Sequence, residues 1–259
     1  MSRRPVNTSR RFGESGGGLF SSSKSRSSPV LTVGLLIVGG LFVIAYLYKG
    51  SGGFSSHFDS VSRVEEDYLC TGEVQRAIPI LHKAYGDSLR KVLHIGPDSC
   101  YVVSKLLKED ETEAWGVEPY DIEDADRNCK SLIRKGIVRM ADIKFPLPYR
   151  PKSFSLVIVS DAVDFLSSRY LNKTLPDLAR VSADGMVIFT GFPGKLKAKV
   201  ADVSKFGRAA KMRSSSWWVR YFHQTNLEEN ESASMKFVQA STANSYVPKC
   251  QIFHLKSLP

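Results

Sequence analysis

The chain has 259 residues, 42% of them hydrophobic and 24% charged, with a formal net charge of +10. That is enough apolar material for one folded domain with extensions, and it excludes a chain disordered throughout. The charge is uneven: six basic residues against one acid before residue 30 account for half of the excess.

Residues 1–29 are rich in Ser, Gly and Arg and predict a disordered basic tail. Residues 30–48, VLTVGLLIVGGLFVIAYLY, carry no charge. Nineteen residues at helical rise cover about 28 Å, close to the thickness of a bilayer core. Tyr46, Tyr48 and Lys49 suit the interface where such a helix ends. A cleaved signal peptide has a shorter apolar core and a small-residue cleavage site, so the reading is a retained transmembrane signal-anchor. The basic tail predicts a cytoplasmic N-terminus and a lumenal remainder, a single-pass type II arrangement. The short span favours the thinner membranes of the secretory pathway. Residues 49–63 predict a flexible lumenal stem, and residues 64–259 the folded domain.

Within that domain strands and helices alternate. Residues 72–85 predict a helix, and 91–95 (KVLHI) a buried strand. Residues 100–108 predict a helix with Val102, Val103, Leu106 and Leu107 inward, and 113–117 (EAWGV) a second strand. Residues 122–134 predict a helix with Ile122, Ala125, Cys129, Leu132 and Ile133 on one face. Residues 137–141 predict a third strand. Residues 154–159 (FSLVIV) predict a fourth, continuously apolar as in a parallel sheet covered on both faces. A helix over 169–181 leads through a turn at Ala183-Asp184-Gly185 to a fifth strand, 186–190. The segments 235–240 and 250–256, joined by a polar stretch with Pro248, predict an antiparallel pair at one edge. The fold class is α/β, doubly wound and mostly parallel.

Ligands of open α/β sheets lie beyond the carboxyl ends of the strands. The first strand is followed by Gly96-Pro97-Asp98-Ser99, where glycine permits close backbone approach and a helix N-terminus offers amides. The second ends at Glu118, 22 residues past Gly96, the spacing of a carboxylate that accepts from ribose hydroxyls. Asp142-Ile143 follows the third strand and Ser160-Asp161 ends the fourth. The pattern Gly-x-Gly-x-x-Gly is absent, with Asp98 and Cys100 where glycines are frequent and His94 where an acid is common. A loop with fewer glycines has no pyrophosphate to cradle, which argues against a dinucleotide. Two sequons, at Asn172 and Asn230, are expected glycosylation sites in a lumenal domain; a third at Asn7 falls in the cytoplasmic tail. Cys70, Cys100, Cys129 and Cys250 show no metal spacing. They allow three fully paired connectivities, and buried free thiols at Cys100 and Cys129 are equally open.

Residues 64–259 resemble a class I S-adenosylmethionine-dependent methyltransferase. VLHIGPDSC is similar to its first motif, GVEPYD to its acidic second motif, and MADIKFPLPYRPKSFSLVIVSD to its third and fourth. LPDLARVSADGMVIFTG is similar to the stretch before and through its fifth strand. The whole chain, through its basic tail, single anchor, VLHIGPDSCYVVSKLLKE and GVEPYDIEDAD, resembles the plant Cotton Golgi-related family of pectin methyltransferases. That resemblance implies methylesterification of homogalacturonan in the Golgi, with S-adenosyl-L-methionine as cofactor. Carried over, the loop Gly96, Pro97, Asp98 and Ser99 faces the methionine part. Glu118 holds the ribose, Asp142 and Ile143 meet the adenine, and Ser160 and Asp161 line the reaction site.

Residues 194–223 form a second unusual segment. Lys195, Lys197, Lys199, Lys205, Arg208, Lys211, Arg213 and Arg220 stand against one acid, Asp202, and Trp217, Trp218, Tyr221 and Phe222 accompany them. Such a strip suits nucleic acid or a polyuronate, whose carboxylates meet cations and whose rings meet flat aromatic faces; a lumenal location disfavours nucleic acid. The expected acceptor is therefore an acidic polysaccharide, with other wall-synthesis enzymes of the same membrane as protein partners and no metal. A galacturonate carboxylate is already ionised and needs no general base, so alignment and exclusion of water carry the acceleration. Asp161 and His223 are positional candidates for the reacting centre. Two other readings stay open: a non-catalytic partner of the same fold, and a methyltransferase of another acidic lumenal glycan.

Overall fold

The computed structural model describes residues 69–119, 122, 125–194 and 209–258. The expected tail (1–29), transmembrane helix (30–48) and stem (49–63) lie outside the described residues. Among the described residues no helix is long and apolar enough to cross a membrane.

The elements in chain order are α1 (Leu69–Tyr85), β1 (Lys91–Ile95), α2 (Ser99–Leu106), β2 (Glu113–Glu118), α3 (Arg127–Arg134), β3 (Val138–Met140), β4 (Phe154–Ser160), α4 (Ser168–Val181), β5 (Ser182–Thr190), α5 (Ser215–Gln224), β6 (Leu227–Glu229), α6 (Glu231–Ala243) and β7 (Gln251–Ser257). Short 3-10 turns occupy Gly86–Leu89 and Ala162–Phe165. One seven-stranded sheet has the order β3-β2-β1-β4-β5-β7-β6. The pairs among β1 to β5 are parallel, and β7 runs antiparallel to both β5 and β6.

Each central strand feeds two cores, because successive side chains point to opposite faces. Leu156, Ile158, Val187 and Phe189 join Val74, Ile78 and Leu81 of α1 and Phe237 of α6 on one face. Val157, Val159 and Ile188 join Leu171, Leu175 and Leu178 of α4 and Trp218 of α5 on the other. The continuous apolar character of β4 thus follows from burial on both sides. In α1, Pro79 lacks the N–H that would serve the Gln75 carbonyl one turn back. Lys105 Nζ of α2 donates to that carbonyl instead, at 2.6 Å.

Three elements depart from the sequence reading. Residues 235–240 are not a strand but part of α6. Its buried residues Ala233, Phe237, Ala240 and Ser241 recur at helical spacing, and the short stretch around Phe237-Val238 was compatible with either period. The antiparallel edge is made instead by β7 with β5 and β6. Ala183-Asp184-Gly185 is not a turn before the fifth strand but an irregular stretch inside it. The β4–β5 register shifts there, and Ser182 Oγ accepts from the Gly185 amide at 3.1 Å. The helix expected over 122–134 starts only at Arg127, with Asp126 accepting from the Cys129 amide as its N-cap.

Two disulfides close the fold: Cys70–Cys250 and Cys100–Cys129, with Cα separations of 5.8 and 5.2 Å. The first joins α1 to the start of β7 across 180 residues of chain. In the chain-entropy account, a loop of that size restricts the unfolded state by about 5 kcal/mol. Replacing both Cys70 and Cys250 by Ser is therefore expected to lower the unfolding free energy by about 3–5 kcal/mol. Guanidinium chloride titration of the two proteins measures it, and a loss below about 1 kcal/mol would contradict the constraint.

Candidate active site at the strand carboxyl ends

The strand order reverses between β1 and β4, which makes their carboxyl ends the switch point where open α/β sheets take ligands. Gly96 and Ser160 meet there. A Cβ on Gly96 would lie 2.5 Å from both the carbonyl oxygen and Oγ of Ser160, so only glycine fits. The chain then passes through buried Pro97 and through Asp98 in the left-handed region (φ 53°, ψ 33°) before α2 begins at Ser99. Asp is among the residues that enter this region at low cost.

A chain of hydrogen bonds runs behind this turn. Ser99 Oγ donates to the carbonyls of Gly96 (2.8 Å) and Val117 (3.0 Å) and lies 2.9 Å from His94 Nδ1. With its proton committed to backbone oxygen, Ser99 accepts from His94 Nδ1–H. His94 Nε2 then accepts from Ser160 Oγ at 3.0 Å, and Ser160 Oγ lies 2.7 Å from Thr71 Oγ1. His94, Ser99, Ser160 and Thr71 are all fully buried. Burial pushes the His94 imidazole down to about 3, so it is neutral.

Asp161 ends the chain of bonds. Its carboxylate accepts from the amides of Cys70 (3.3 Å) and Thr71 (2.7 Å) and from Thr71 Oγ1 (3.0 Å), so it caps the N-terminus of α1. Burial pushes it up to about 6, the three donors oppose that rise, and the nearby charge of Asp98 adds to it. Sequence reading placed Asp161 at the right end of the right strand. The structure turns it inward, 5% exposed, toward α1. Thr71 was missed, since it lies 90 residues away in sequence from Asp161. A polar first turn, Cys70-Thr71, on an otherwise apolar-faced helix was the available signal. Asp164, three residues on, is fully buried, accepts from the Gly191 amide at 2.9 Å, and is held well above the usual carboxylate range by that burial.

The remaining candidates are distributed as follows. Glu118 is 2% exposed and accepts the Ser99 amide at 3.0 Å, anchoring the first turn of α2. Asp142 is exposed and closes its own turn by accepting the Lys144 amide at 3.0 Å and pairing with Lys144 Nζ at 3.1 Å. Ile143 is buried, and its carbonyl accepts Thr174 Oγ1 of α4 at 2.8 Å. His223 is at the wrong end of the sheet. Its helix starts at Ser215, bonded to Gln251 opposite the carboxyl end of β5. It ends near Asn226, whose carbonyl meets Leu258 just past β7. Eight residues of helix carry His223 about 12 Å away from Ser215.

The basic, aromatic segment falls only in part within the described residues. Lys195, Lys197, Lys199, Lys205 and Arg208 lie outside the described residues. Lys211 and Arg220 are exposed. Arg213 and Trp218 are core residues and not an acceptor surface, at 4% and 0% exposure. The Arg213 guanidinium donates to the carbonyls of Leu166 (2.6 Å) and Lys211 (3.1 Å) and packs over Trp217 and Trp218, 4.7 and 5.3 Å from the ring centroids. The half-buried Trp217 stacks on Tyr221, whose hydroxyl donates to Asn172 Oδ1 at 2.5 Å. Asn230 spends its Oδ1 on the α6 N-cap, taking the Ala233 amide at 3.2 Å. A cavity of about 1070 Å³ between α4, α5 and β7 lies at the opposite, amino end of β5, away from the switch point.

A doubly wound sheet whose last position is an antiparallel pair, with carboxylates beyond β1, β2, β3 and β4, defines a class I methyltransferase-like α/β protein. No family model matches the chain. It is 66% identical, over 100% of both chains, to "Probable pectin methylesterase CGR3" of Arabidopsis thaliana, and 64% identical over the same full extent to "Probable pectin methylesterase CGR2" of that plant. The chain belongs to their family, the plant Cotton Golgi-related family. Among solved structures it is similar to the PH0226 protein of Pyrococcus horikoshii OT3 (15% identity, 76% of this chain and 90% of that one, TM-score 0.47). It is likewise similar to the O-methyltransferase NcsB1 from neocarzinostatin biosynthesis, solved with S-adenosyl-L-homocysteine (12% identity, 81% and 60%, TM-score 0.47).

Because the Asp161 pKa is about 6 in the fold against an ordinary 3.8, the folded state holds this proton more tightly than the unfolded chain. Its contribution is present below pH 4 and is lost as pH rises toward 6, a change on the order of 3 kcal/mol. Asp161→Asn should therefore lose less stability than the parent between pH 4 and 6.5, by that difference. Parallel stability curves from chemical denaturation would show that the carboxyl is not protonated in the fold.

Proposed function

We propose that this chain is a Golgi S-adenosylmethionine-dependent methyltransferase that methylesterifies galacturonate carboxylates of homogalacturonan on the lumenal side of the membrane. One observation carries the chemical half of this reading: carboxylates cluster at the switch point, and among the described residues no histidine stands open beside them. Asp98 stands in the loop after β1 close enough for its charge to act on Asp161, and a negative charge at that loop fits a ligand bearing a sulfonium and an ammonium group. Glu118 accepts the Ser99 amide, and its place at the end of β2 suits ribose hydroxyls. Asp142 and Ile143 beyond β3 suit the adenine. S-adenosylmethionine, when bound, supplies a methyl group on a positively charged sulfur.

The chain's own residues then orient and desolvate. The acceptor carboxylate is ionised before it binds, so no proton has to be removed. None of the four described histidines presents an open imidazole at the carboxyl ends. His94 and His254 are buried, while His82 and His223 lie toward the amino ends on α1 and α5. A hydroxyl acceptor would require a base there; a carboxylate does not. The pectin in the relatives' names supports galacturonate as the acceptor sugar. The Golgi and lumenal parts of the reading rest on the basic tail and the charge-free run at 30–48.

Those names also speak of a methylesterase, which would break the bond this reading forms. Ser160 Oγ, 3.0 Å from His94 Nε2, has the outline of a nucleophile with its base. Both residues are fully buried, and Ser160 Oγ fills the space where a Cβ of Gly96 would sit. A scissile carbonyl has no approach to it, and His94 is oriented by a serine rather than by a carboxylate. The pair holds the fold and does not hydrolyse.

Incubation of the full-length chain with methyl-labelled S-adenosylmethionine and low-ester homogalacturonan should label the polymer, and high-ester pectin should yield no methanol. Methanol without labelling would replace the transferase by an esterase. Neither activity, with no binding of S-adenosylhomocysteine by calorimetry, would leave a non-catalytic partner. Glu118→Gln keeps an acceptor for the Ser99 amide but removes the charge, and should weaken S-adenosylhomocysteine binding about fivefold to tenfold with unchanged thermal stability. Unaltered affinity would refute the ribose assignment.

A further inference from the structure

We propose that the outer face formed by α4 and the loop after β3, bearing Lys144, Phe145, Arg169, Tyr170 and Lys173, is the track along which an acidic polysaccharide lies while one of its carboxylates reacts; this rests on the reading above. Phe145 and Tyr170, 67% and 38% exposed, are the aromatic members of the exposed large apolar side chains among the described residues. They are neighbours through Lys144, whose Nζ lies 5.6 Å from the Tyr170 ring centroid. The loop is clamped along α4. Thr174 Oγ1 donates to the Ile143 carbonyl at 2.8 Å, and the Leu147 amide donates to Asp177 Oδ2 at 2.7 Å. The rings are thus presented by a fixed ridge. Rigid, exposed aromatic faces give contact area at little entropic cost.

The charge of this ridge fits a polyanion. Arg169 and Lys173 stand one helical turn apart on the exposed side of α4, flanking Tyr170. The nearby acids are already engaged: Asp142 by Lys144 at 3.1 Å, and Asp177 by Arg180 at 2.7 Å. Cations interleaved with aromatics match a chain that carries one carboxylate and one apolar C–H ring face per sugar. The ridge also leads to the reaction site. α4 follows directly on the 3-10 turn Ala162–Phe165, which follows Asp161 at the carboxyl end of β4. Cations placed along the ridge hold neighbouring uronates without stabilising the one that is to be methylated, which would slow the transfer.

The test uses full-length Phe145→Ala/Tyr170→Ala and Arg169→Gln/Lys173→Gln double variants. Four measurements are made: affinity for polygalacturonate, transfer kinetics, binding of S-adenosylhomocysteine, and binding to vesicles of phosphatidylcholine with phosphatidylserine. Each variant should bind polygalacturonate about tenfold more weakly and raise KM similarly, with kcat within about twofold and cofactor affinity unchanged. The Arg169→Gln/Lys173→Gln variant should also show a flatter salt dependence. Variants with parental polygalacturonate affinity overturn the track while the transferase reading stands. A parent that binds polygalacturonate through this face but transfers no methyl keeps the track and overturns the reaction. Loss of vesicle binding in place of polygalacturonate binding makes the face a membrane contact and overturns the track.

Discussion

Everything at the functional end of this molecule depends on how closely β1 and β4 approach where they stop. The 2.5 Å that separates the Cβ position of Gly96 from Ser160 leaves no room for any side chain. That approach links the end of β4, through the His94 ring, to Ser99 in the first turn of α2. It buries Ser160 where His94 and Thr71 both reach its hydroxyl. It also sends the chain after Ser160 upward, so that Asp161 meets the amides of Cys70 and Thr71. One missing methyl group therefore fixes the relative positions of β1, β4, α1 and α2. In a low-dielectric interior such a network is stabilising only when every member is satisfied. Here the neutral His94 lies between Ser99 and Ser160, with a bond on each ring nitrogen.

The histidine at position 94 follows from the same constraint. An ionised carboxylate there would be fully buried between two hydroxyls with no cation. A neutral imidazole of similar reach accepts on one nitrogen and donates on the other, which two hydroxyl neighbours require. Negative charge is placed instead at the rim, on Asp98 and Asp142, and at the helix terminus that Asp161 caps. The result is a site whose His94 network is neutral and whose rim is anionic, a distribution that suits a cationic ligand.

Much of the architecture was legible in the sequence because both cores are read by strict periodicities. The run FSLVIV has to be covered on two faces, and it is. The loop positions after the strands followed from the strands, so Gly96, Glu118, Asp142 and Asp161 could be placed at one end of the sheet. Their partners could not. Whether Asp161 faces a ligand or a helix terminus depends on Thr71, a contact across 90 residues that no local pattern encodes. The same limit governs Arg213 and Trp218. Composition marks them as a surface strip, yet the guanidinium finds backbone carbonyls and the indole finds a core. The segment 235–240 failed for a different reason: a short stretch with two adjacent apolar residues, Phe237 and Val238, satisfies a strand and a helix equally, and tertiary packing on α1 decides.

The disulfides bind this polar framework to its surroundings. Cys70 is adjacent to Thr71, which holds Asp161 and Ser160. Cys100 is adjacent to Ser99, which holds His94 and Glu118. Their partners Cys250 and Cys129 lie at the start of β7 and in α3. Each covalent link thus fixes the first turn of a helix whose amides meet a carboxylate at the strand ends. Hydrogen bonds set the angles of the site, and the links keep the two helix termini from drifting off their anions. Such links persist in an oxidising compartment and are rare where thiols are kept reduced. The covalent anchoring of the site and the lumenal location inferred from the basic tail therefore call for the same environment, though they are read from opposite ends of the chain.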